Sequence, residues 1–388
     1  MDFSISSEQR AFVETVRKVC QKEFAPRAIK YLDGTWPAEN MRRLAELGVL
    51  GMAVPQEYGG SGLGILDTVL VLEEIGKACY VTAMAALGEL GVQTRIIATY
   101  APENIKKQIL PRVASGDAFL AICMTEPDAG TDVPSYRTNC EIKGERVVLK
   151  GVKTLISRAD IAEMFVVFTR VNGVPGAAGI GCVLVPGGIK GLNATASFHT
   201  MGGEYLSEVV FDEIELPLEN LVIRDNGMKR LLSAFNTQRC LNPAICLGLA
   251  EGALEEAVRY MRERSAFGRK IGDFQGLRWK VADMYIQIEA ARGLLYRAAV
   301  SGDQFPDPTL AAMAKIYTNE MSIRVTSEAI QIHGGYGFTD EFAVSRFFRG
   351  TRYGSLGGGT TETLRNMVGR KLVEQMDLAT GILGLSEL

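Results

Sequence analysis

Residues 124–132 read Met124-Thr125-Glu126-Pro127-Asp128-Ala129-Gly130-Thr131-Asp132. Pro, Asp and Gly in so short a run are typical of a turn, and the run stands at the predicted end of a strand. Taken alone, it could be an ordinary loop. A glycine also lets the backbone approach a flat ligand closely, and threonine hydroxyls can donate hydrogen bonds to it. The run therefore predicts a turn that can double as a ligand-binding loop.

The chain on either side of this run changes its hydrophobic period twice. Upstream, Ser6-Ser7-Glu8-Gln9 resembles a helix-capping box, and apolar side chains follow at helical spacing. From about residue 120, short β-branched runs such as Phe165-Val166-Val167-Phe168 alternate with Gly, Pro and Asn turns. From about residue 227 the helical period returns. We expect an α+β protein, with helices in residues 1–119, strands in 120–226 and helices in 227–388.

The composition argues against several classes of protein. The 388 residues carry a formal net charge of -3, which gives no basic surface for nucleic acid. No apolar run approaches the length of a membrane span, and the N-terminus lacks the features of a secretory signal. The seven cysteines form no C-x-x-C pair and the two histidines are far apart, so we expect neither disulfides nor a metal site. The sequence predicts a cytoplasmic protein that binds no membrane.

A second motif and two related segments lie further along the chain. Arg264-Ser265-Ala266-Phe267-Gly268 is followed seven residues later by Gln275, and then by Gln331-Ile332-His333-Gly334-Gly335-Tyr336-Gly337. A guanidinium recognises pyrophosphate well because its planar donors match two oxygens at once. On its own, Arg-x-x-Phe-Gly could be a helix end with a solvated charge. The set of segments is a much stronger signal than any one of them.

These motifs resemble the signatures of the acyl-CoA dehydrogenase family, and the resemblance covers essentially the whole chain. It implies an N-terminal helical domain, a central β-domain and a C-terminal four-helix bundle. It also implies FAD as the cofactor, an acyl-CoA as the substrate, and an electron-transfer flavoprotein or a similar protein as the electron acceptor. In this family the FAD site spans two chains and most members are tetrameric, so we expect a homotetramer.

The resemblance assigns the cofactor contacts residue by residue. It places Thr125 at the flavin ring, Thr131 near phosphate, and Ser157 within reach of flavin N5, the atom that accepts the hydride. Ser157 ends the segment Lys153-Thr154-Leu155-Ile156-Ser157, where Leu155 replaces the family's usual tryptophan. The alternative for this segment is an edge strand without a cofactor contact. The remaining FAD contacts, including those of a neighbouring subunit, fall on Arg264, Phe267, Gln275, Gln331, Gly335, Thr360 and Glu362.

The resemblance also indicates a substrate-binding segment at residues 235–239, ahead of the Arg264–Gly268 motif. It implies that Arg239 lies beside the acyl-CoA, with Phe235 and Asn236 one turn earlier near the pantetheine. The alternative for Arg239 is a surface helix arginine. His333 is expected to be a packed loop histidine rather than a catalytic one.

Both positions at which the family carries its catalytic base lack a basic side chain. The C-terminal run of the family usually reads Glu-Gly-Thr, and its carboxylate removes the α-proton; here Gly358 takes that slot. The family's alternative base precedes an arginine, and here Gln238 precedes Arg239. A glycine has no side chain, and a glutamine has no useful basicity. Two alternatives stay open. Either a carboxylate elsewhere acts on an already unsaturated thioester, or the reaction, such as loss of a sulfinate, needs no such base.

Glu89 is the candidate for a relocated base. It stands in the apolar run 84–92, on a helix that by the resemblance lines the far end of the acyl pocket, where burial would raise its pKa. The alternatives are a solvent-facing glutamate or one paired with Arg95. The run 233–239 also resembles the 3-sulfinopropionyl-CoA desulfinase branch, but Met84 stands where that branch has an anion-binding arginine. An apolar acyl group therefore fits better than an anionic one.

The sequence thus predicts an FAD-dependent oxidoreductase that acts on a CH–CH bond of an apolar CoA thioester. The acyl group can be cyclic or already unsaturated, since the chain also resembles the cyclic enoyl-CoA dehydrogenases. Glu89 would be the base and Gln238 a non-basic replacement. A non-oxidative lyase that keeps FAD structurally is the alternative, and a catalytically silent flavoprotein is the third.

Overall fold

The computed structural model describes residues 4–375, which form helices and one large sheet. The helices are α1 (Ser7–Val19), α2 (Ala25–Arg27), α3 (Ala38–Glu46), α4 (Ile65–Ala78), α5 (Tyr80–Leu90), α6 (Val92–Tyr100), α7 (Glu103–Ser115), α8 (Gly227–Glu263), α9 (Gln275–Ala299), α10 (Pro308–His333), α11 (Ala343–Gly354) and α12 (Thr361–Gln375). The strands are β1 (Phe119–Cys123), β2 (Asn139–Lys143), β3 (Arg146–Ser157), β4 (Ala162–Val171), β5 (Ile180–Pro186), β6 (Leu192–His199), β7 (Tyr205–Pro217), β8 (Leu221–Ile223), β9 (Ser265–Ala266) and β10 (Arg269–Lys270). Helical, strand-rich and helical regions follow in the order that the sequence predicts.

The described residues group into two compact units, each drawn from separate stretches of the chain. The first unit holds the residues up to Ala25, Ile65–Tyr80 and those from Asn236 onwards. The second unit holds Pro26–Gly64 and Val81–Phe235. The predicted boundaries at residues 119 and 226 mark changes from helices to strands and back. The two units are defined by contacts instead, so these boundaries stay a prediction.

An eight-stranded sheet forms the second unit's centre. Its order is β6-β7-β3-β2-β4-β5-β8, and β1 joins it by pairing with β4. The β1–β4 and β2–β4 pairs are parallel, and the other neighbours are antiparallel. The predicted strand run Phe165–Phe168 lies in β4 and is buried throughout. This explains why it reads as a continuous apolar run instead of an alternating one.

Apolar side chains pack against this sheet as one core cluster. Its members come from most of the strands and include Cys123, Cys140, Leu149, Val167, Val183, Val209, Phe211 and Ile214. The edge strand β6 is different, because its residues from Asn193 to His199 are exposed. Helix α5 is the most enclosed helix segment of this unit, with every residue from Val81 to Leu90 buried.

The first unit is helical apart from the short hairpin β9–β10. Helix α1 begins with the predicted capping box: the Ser6 side chain accepts from the Gln9 backbone, and the Gln9 side chain accepts from the Ser6 backbone. Helix α1 packs against α4, and α10 packs against α9, α11 and α12. Helix α10 starts at Pro308 behind the N-cap Asp307, whose side chain accepts two backbone hydrogen bonds. Proline suits this position because its missing N–H has no helical partner there.

Two glycines let α4 and α8 approach each other closely. A Cβ on Gly76 would lie 2.7 Å from the Ile245 carbonyl oxygen, and one on Gly248 would lie 2.0 Å from the Glu73 carbonyl oxygen. The Glu73 carboxylate in turn accepts hydrogen bonds from Arg292 and from the Tyr296 hydroxyl on α9. Helix α4 therefore packs on α8 by close backbone contact and is joined to α9 by a buried ion pair.

The thiols of both units are enclosed. All seven cysteines are free and buried, four in the first unit (Cys20, Cys79, Cys240, Cys246) and three in the second (Cys123, Cys140, Cys182). Burial raises the pKa of the Cys123, Cys140, Cys240 and Cys246 thiols to about 12. In the part of the chain that the structure describes, no helix is both long and apolar enough to cross a membrane.

Candidate active site

The run 124–132 forms a tight turn directly after β1. Glu126 and Ala129 exchange two backbone hydrogen bonds of 3.0 and 3.1 Å, which closes the turn. Thr125 is half-buried and Thr131 is exposed. Neither threonine hydroxyl forms a hydrogen bond with the other described residues. Both are free to donate to a ligand, and their contacts with the cofactor stay a prediction.

A buried ion pair between Lys153 and Glu126 holds this turn in place. The sequence pattern alone does not predict it. The Lys153 ammonium is fully buried; it lies 2.8 Å from Glu126 Oε1, 2.7 Å from the Met124 carbonyl oxygen and 3.7 Å above the Tyr136 ring. Burial lowers the pKa of Lys153 to about 8, although Glu126 opposes this effect. The Thr154 backbone also donates to the Thr125 carbonyl, at 2.8 Å. The turn and strand β3 are therefore fixed to each other.

Ser157 ends β3 in a distorted part of the strand. The pairing of β3 with β7 shifts register between Lys153 and Ile156. Leu155 lies inside this shift in a left-handed conformation, with φ 57° and half of its side chain exposed. Ser157 is half-buried, and its hydroxyl has no hydrogen-bond partner among the described residues. The irregular strand therefore presents a free hydroxyl, which fits the predicted cofactor contact.

Glu89 is fully buried on α5 and forms an ion pair with Arg158, the residue after Ser157. The Arg158 Nη1 atom lies 3.0 Å from Glu89 Oε2 and 3.3 Å from Oε1. The Leu120 backbone N–H of β1 donates to Oε1 at 3.0 Å. Both alternatives in the sequence analysis are wrong, because Glu89 neither faces solvent nor pairs with Arg95. Arg95 Nε and Nη2 have no partner among the described residues.

The electrostatics of Glu89 combine two opposing effects. Burial raises the pKa of the Glu89 carboxyl, while the Arg158 charge and the Leu120 N–H act to lower it. The net direction is upward. A carboxylate in this setting can exchange a proton nearer to neutral pH than an exposed one. Its role as a base stays a prediction.

The predicted substrate residues lie within α8, and the boundary between the two units falls among them. Phe235 belongs to the second unit, where its ring meets Phe168 edge-on at 6.4 Å. Asn236 and Arg239 belong to the first unit, where Arg239 Nη1 donates to Asn236 Oδ1 at 2.7 Å. Arg239 is 8% exposed, so the surface-arginine alternative is wrong. Its Nε has no partner among the described residues, and burial lowers its pKa to about 10.

The glycine run that replaces the usual base is held by a buried lysine. Lys315 Nζ donates to the carbonyl oxygens of Gly354 and Gly359, at 2.7 and 3.0 Å. Burial lowers the pKa of Lys315 to about 8, and the positive charge of Arg239 acts in the same direction. Gly358 has φ 75°, a conformation that residues with side chains rarely adopt. Gln238, at the alternative base position, is buried.

The remaining predicted cofactor residues form three groups in the first unit, and all of these residues except the half-buried Thr360 are exposed. Arg264 directly precedes β9, Phe267 lies at the tip of the β9–β10 hairpin and Gln275 begins α9. The other groups are Gln331 with Gly335 and Thr360 with Glu362. At the hairpin tip Phe267 and Gly268 both have positive φ, the requirement of a two-residue hairpin loop. The Phe267 side chain is 95% exposed. No hydrogen bond joins one group to another within the described residues.

The exposed donors and the uncovered Phe267 ring leave room for a large polar cofactor. The residues predicted to bind the cofactor therefore offer donors that fit FAD. His333, by contrast, is buried and stacks on Tyr260 at 4.4 Å, with its Nδ1 atom 2.8 Å from the Ala329 carbonyl oxygen. It is a packed residue, as predicted.

Comparison with known proteins agrees with the predicted family and fold. Three family models match the chain: "Acyl-CoA dehydrogenase, N-terminal domain" at residues 6–117, the "middle domain" at 121–214 and the "C-terminal domain" at 225–373. The chain is 36% identical over 386 residues to a 3-sulfinopropanoyl-CoA desulfinase of Cupriavidus necator, covering 96% of both chains. It is 33% identical to a cyclohex-1-ene-1-carbonyl-CoA dehydrogenase of Syntrophus aciditrophicus, covering 95% of this chain and 91% of that one. The solved structure of butyryl-CoA dehydrogenase from Megasphaera elsdenii is similar with a TM-score of 0.92 and 30% identity, covering 96% and 100% of the two chains.

Proposed function

Because the chain belongs to the acyl-CoA dehydrogenase family of FAD-dependent enzymes, we propose that it oxidises a CH–CH bond of an apolar CoA thioester with a relocated base. Its cofactor is FAD, which accepts the hydride when bound. The observation behind the proposal is the chemistry of residues 238 and 358. A buried glutamine and a left-handed glycine stand where the family resemblance places a carboxylate. Removal of the α-proton in the usual way therefore has no base.

The environment of α5 supports an apolar acyl group. By the family resemblance this helix borders the acyl pocket, and its side chains Val81, Met84, Leu87 and Leu90 are buried. The Arg158 guanidinium reaches this helix by hydrogen bonds, and Glu89 neutralises its charge. A carboxylate or sulfinate on the substrate would have to compete with Glu89 for that charge. An apolar group, including a ring or an unsaturated chain, does not.

Glu89 is the carboxylate that we propose as the relocated base. Its burial raises its pKa, which suits proton abstraction, and Arg158 favours the ionised form that a base needs. Such a base would act on a proton beyond the usual α position, as on an α,β-unsaturated thioester. The product would then carry its new double bond further from the thioester.

A second candidate is a non-oxidative lyase that releases a sulfinate group. The similarity to 3-sulfinopropanoyl-CoA desulfinase supports it. So does Arg239, whose buried Nε lacks a partner within the described chain and is available to an anion. The two candidates differ in redox chemistry, because loss of a sulfinate needs no net oxidation of the substrate by FAD.

We also propose the assembly and the electron acceptor from family membership. The exposed hairpin with Phe267, together with Arg264, supports an FAD site completed by a neighbouring subunit, and hence a homotetramer. An electron-transfer flavoprotein or a similar protein would reoxidise the reduced enzyme.

Anaerobic reduction of the bound flavin distinguishes the candidates. The enzyme is mixed without oxygen with saturated, α,β-unsaturated and cyclic acyl-CoA thioesters, including cyclohex-1-ene-1-carbonyl-CoA, and flavin absorbance is followed. Dithionite serves as the control that the flavin can be bleached. We expect an unsaturated or cyclic thioester to bleach the flavin and a saturated one to leave it oxidised. Sulfite release from 3-sulfinopropanoyl-CoA, without bleaching by any thioester, would replace the first candidate by the second.

A further inference from the structure

Three elements of the second unit meet at the Glu89–Arg158 ion pair. Glu89 belongs to α5, its Oε1 atom accepts from Leu120 in β1, and Arg158 opens the turn between β3 and β4. Arg158 Nη1 also donates to the Ala85 carbonyl oxygen, at 2.5 Å. The pair is therefore a junction between a helix, a strand and a turn, and Ser157 is the residue next to it in the chain.

The backbone conformation of Arg158 and the glycine at position 88 both accommodate the contact between Arg158 and α5. Arg158 has φ 61°, in the left-handed region that residues with a side chain rarely occupy. A glycine or an asparagine would adopt this conformation with less strain, so the arginine side chain must contribute something that offsets it. Gly88 supplies the space, because a Cβ there would lie 1.9 and 2.0 Å from the two Nη atoms of Arg158.

The end of β3 needs such an anchor because its strand pairing is interrupted. After the register shift that begins at Lys153, two pairs with β7 remain, Ile156 with Ser207 and Ser157 with Leu206. Beyond them the chain turns away, and the Ile161 backbone closes the turn onto the Arg158 carbonyl. A short stretch of ladder next to a turn is easily displaced, since few hydrogen bonds hold it.

We propose that Arg158 is a positioning residue that fixes the direction of the Ser157 hydroxyl toward the flavin. Its guanidinium binds the Glu89 carboxylate and the Ala85 carbonyl oxygen on α5, and these contacts fix the backbone conformation of residues 157–158. The proposal rests on the cofactor contact assigned to Ser157, and it holds whether or not Glu89 also acts as the base.

The test measures the flavin of the substrate-free holoenzyme, which the identity of the catalytic base does not affect. The variants are Ser157→Ala, Arg158→Met, Arg158→Lys and the double variant Ser157→Ala/Arg158→Met. Arg146→Met is the matched control, because Arg146 stands on the same strand in an exposed pair with Glu215. FAD content, the absorption envelope of the bound flavin and its reduction potential are measured for each.

We expect Arg158→Met to move the absorption envelope and the potential in the same direction as Ser157→Ala. The double variant should match Ser157→Ala alone, since both changes remove one contact, and Arg158→Lys should restore part of the shift. Arg146→Met should resemble the wild type. The proposal would be overturned if Arg158→Met had the same absorption envelope and potential as the wild type while Ser157→Ala was clearly shifted. It would also be overturned if the shifts of the two single variants added up in the double variant.

Two further outcomes keep the test decisive. If Arg158→Met does not fold, Arg158→Lys and Glu89→Gln replace it, and wild-type flavin properties in both would refute the positioning role. If Ser157→Ala leaves the flavin unchanged, Ser157 does not contact it and the inference fails. The proposed oxidation would stand in that case, because it is judged by bleaching with thioesters.

Discussion

Replacing Glu89 by glutamine is the most direct test of the relocated base. Glutamine keeps the size of the side chain and an oxygen that can accept from Leu120, but it cannot take a proton. Loss of a general base lowers the rate by about 10²–10⁴-fold. The effect should fall on kcat more than on KM, because proton abstraction is felt in the transition state.

The same substitution has a structural cost that can be separated from the chemical one. It leaves the Arg158 guanidinium without a counter-charge in a buried position, and breaking a buried pair destabilises a protein by about 3–5 kcal/mol. The glutamine oxygen can still accept from Arg158, so we expect the cost to lie at the low end of that range. The free energy of unfolding and the FAD content must therefore be measured beside turnover.

Arg158→Met provides the paired comparison, because it leaves the Glu89 carboxylate in place. The Arg158 charge acts to lower the pKa of Glu89, so its removal should raise that pKa further. A base works in its ionised form, and the acidic limb of the pH–rate profile should therefore move to higher pH. Arg158→Met should lose more activity at pH 6 than at pH 9, whereas Glu89→Gln should be slow at both.

Steady-state kinetics with the thioester that bleaches the wild-type flavin provide the assay. Enzyme concentration is taken from bound FAD, so that loss of cofactor is not mistaken for loss of catalysis. Normal turnover by Glu89→Gln would refute the relocated base. An unchanged pH profile in Arg158→Met, with Glu89→Gln inactive, would show that Arg158 does not govern the ionisation of Glu89.

Three further predictions concern the first unit. Arg264→Ala should lower the FAD content of the purified protein, measured by absorbance, because an exposed guanidinium suited to pyrophosphate is lost; full retention of FAD would argue against that contact. Gln238→Glu should raise the rate of α,β-dehydrogenation of a saturated acyl-CoA by about 10²–10⁴-fold over the wild type. Gly358→Glu should raise this rate less, because the backbone at residue 358 has φ 75°. A wild type that dehydrogenates the saturated acyl-CoA as fast as ordinary family members would contradict both expectations. Lys315→Met should lower the free energy of unfolding by about 2–4 kcal/mol, since two buried carbonyls lose a charged donor; a chemical denaturation midpoint equal to the wild type would refute this.

Local patterns in the sequence predict much of the fold. The capping box at Ser6 and Gln9, the β4 run 165–168 and the return of helices near residue 227 all appear where the sequence patterns place them. These features depend on neighbours within a few residues, which a pattern can record. The grouping into two units depends on contacts between distant stretches, and the pattern carries no record of those.

The candidate site shows the same limit. The burial of Glu89 is predictable from its apolar neighbours, but its partner Arg158 lies 69 residues away and nothing local indicates the pair. Arg95 is only six residues from Glu89 in the sequence, but Glu89 pairs with Arg158 instead. Lys153 and Glu126 are both inside recognised motifs, yet their pairing appears only once β3 is placed beside the turn.

The distribution of the buried thiols makes them an internal reporter of local opening. A thiol with a strongly raised pKa and no access to solvent does not react with alkylating reagents until the structure around it opens. Cys240 and Cys246 report on the first unit, and Cys140 and Cys182 on the second. The order in which these side chains become alkylated under mild denaturant, read by peptide mass spectrometry, would therefore show which unit loosens first, with no engineered label.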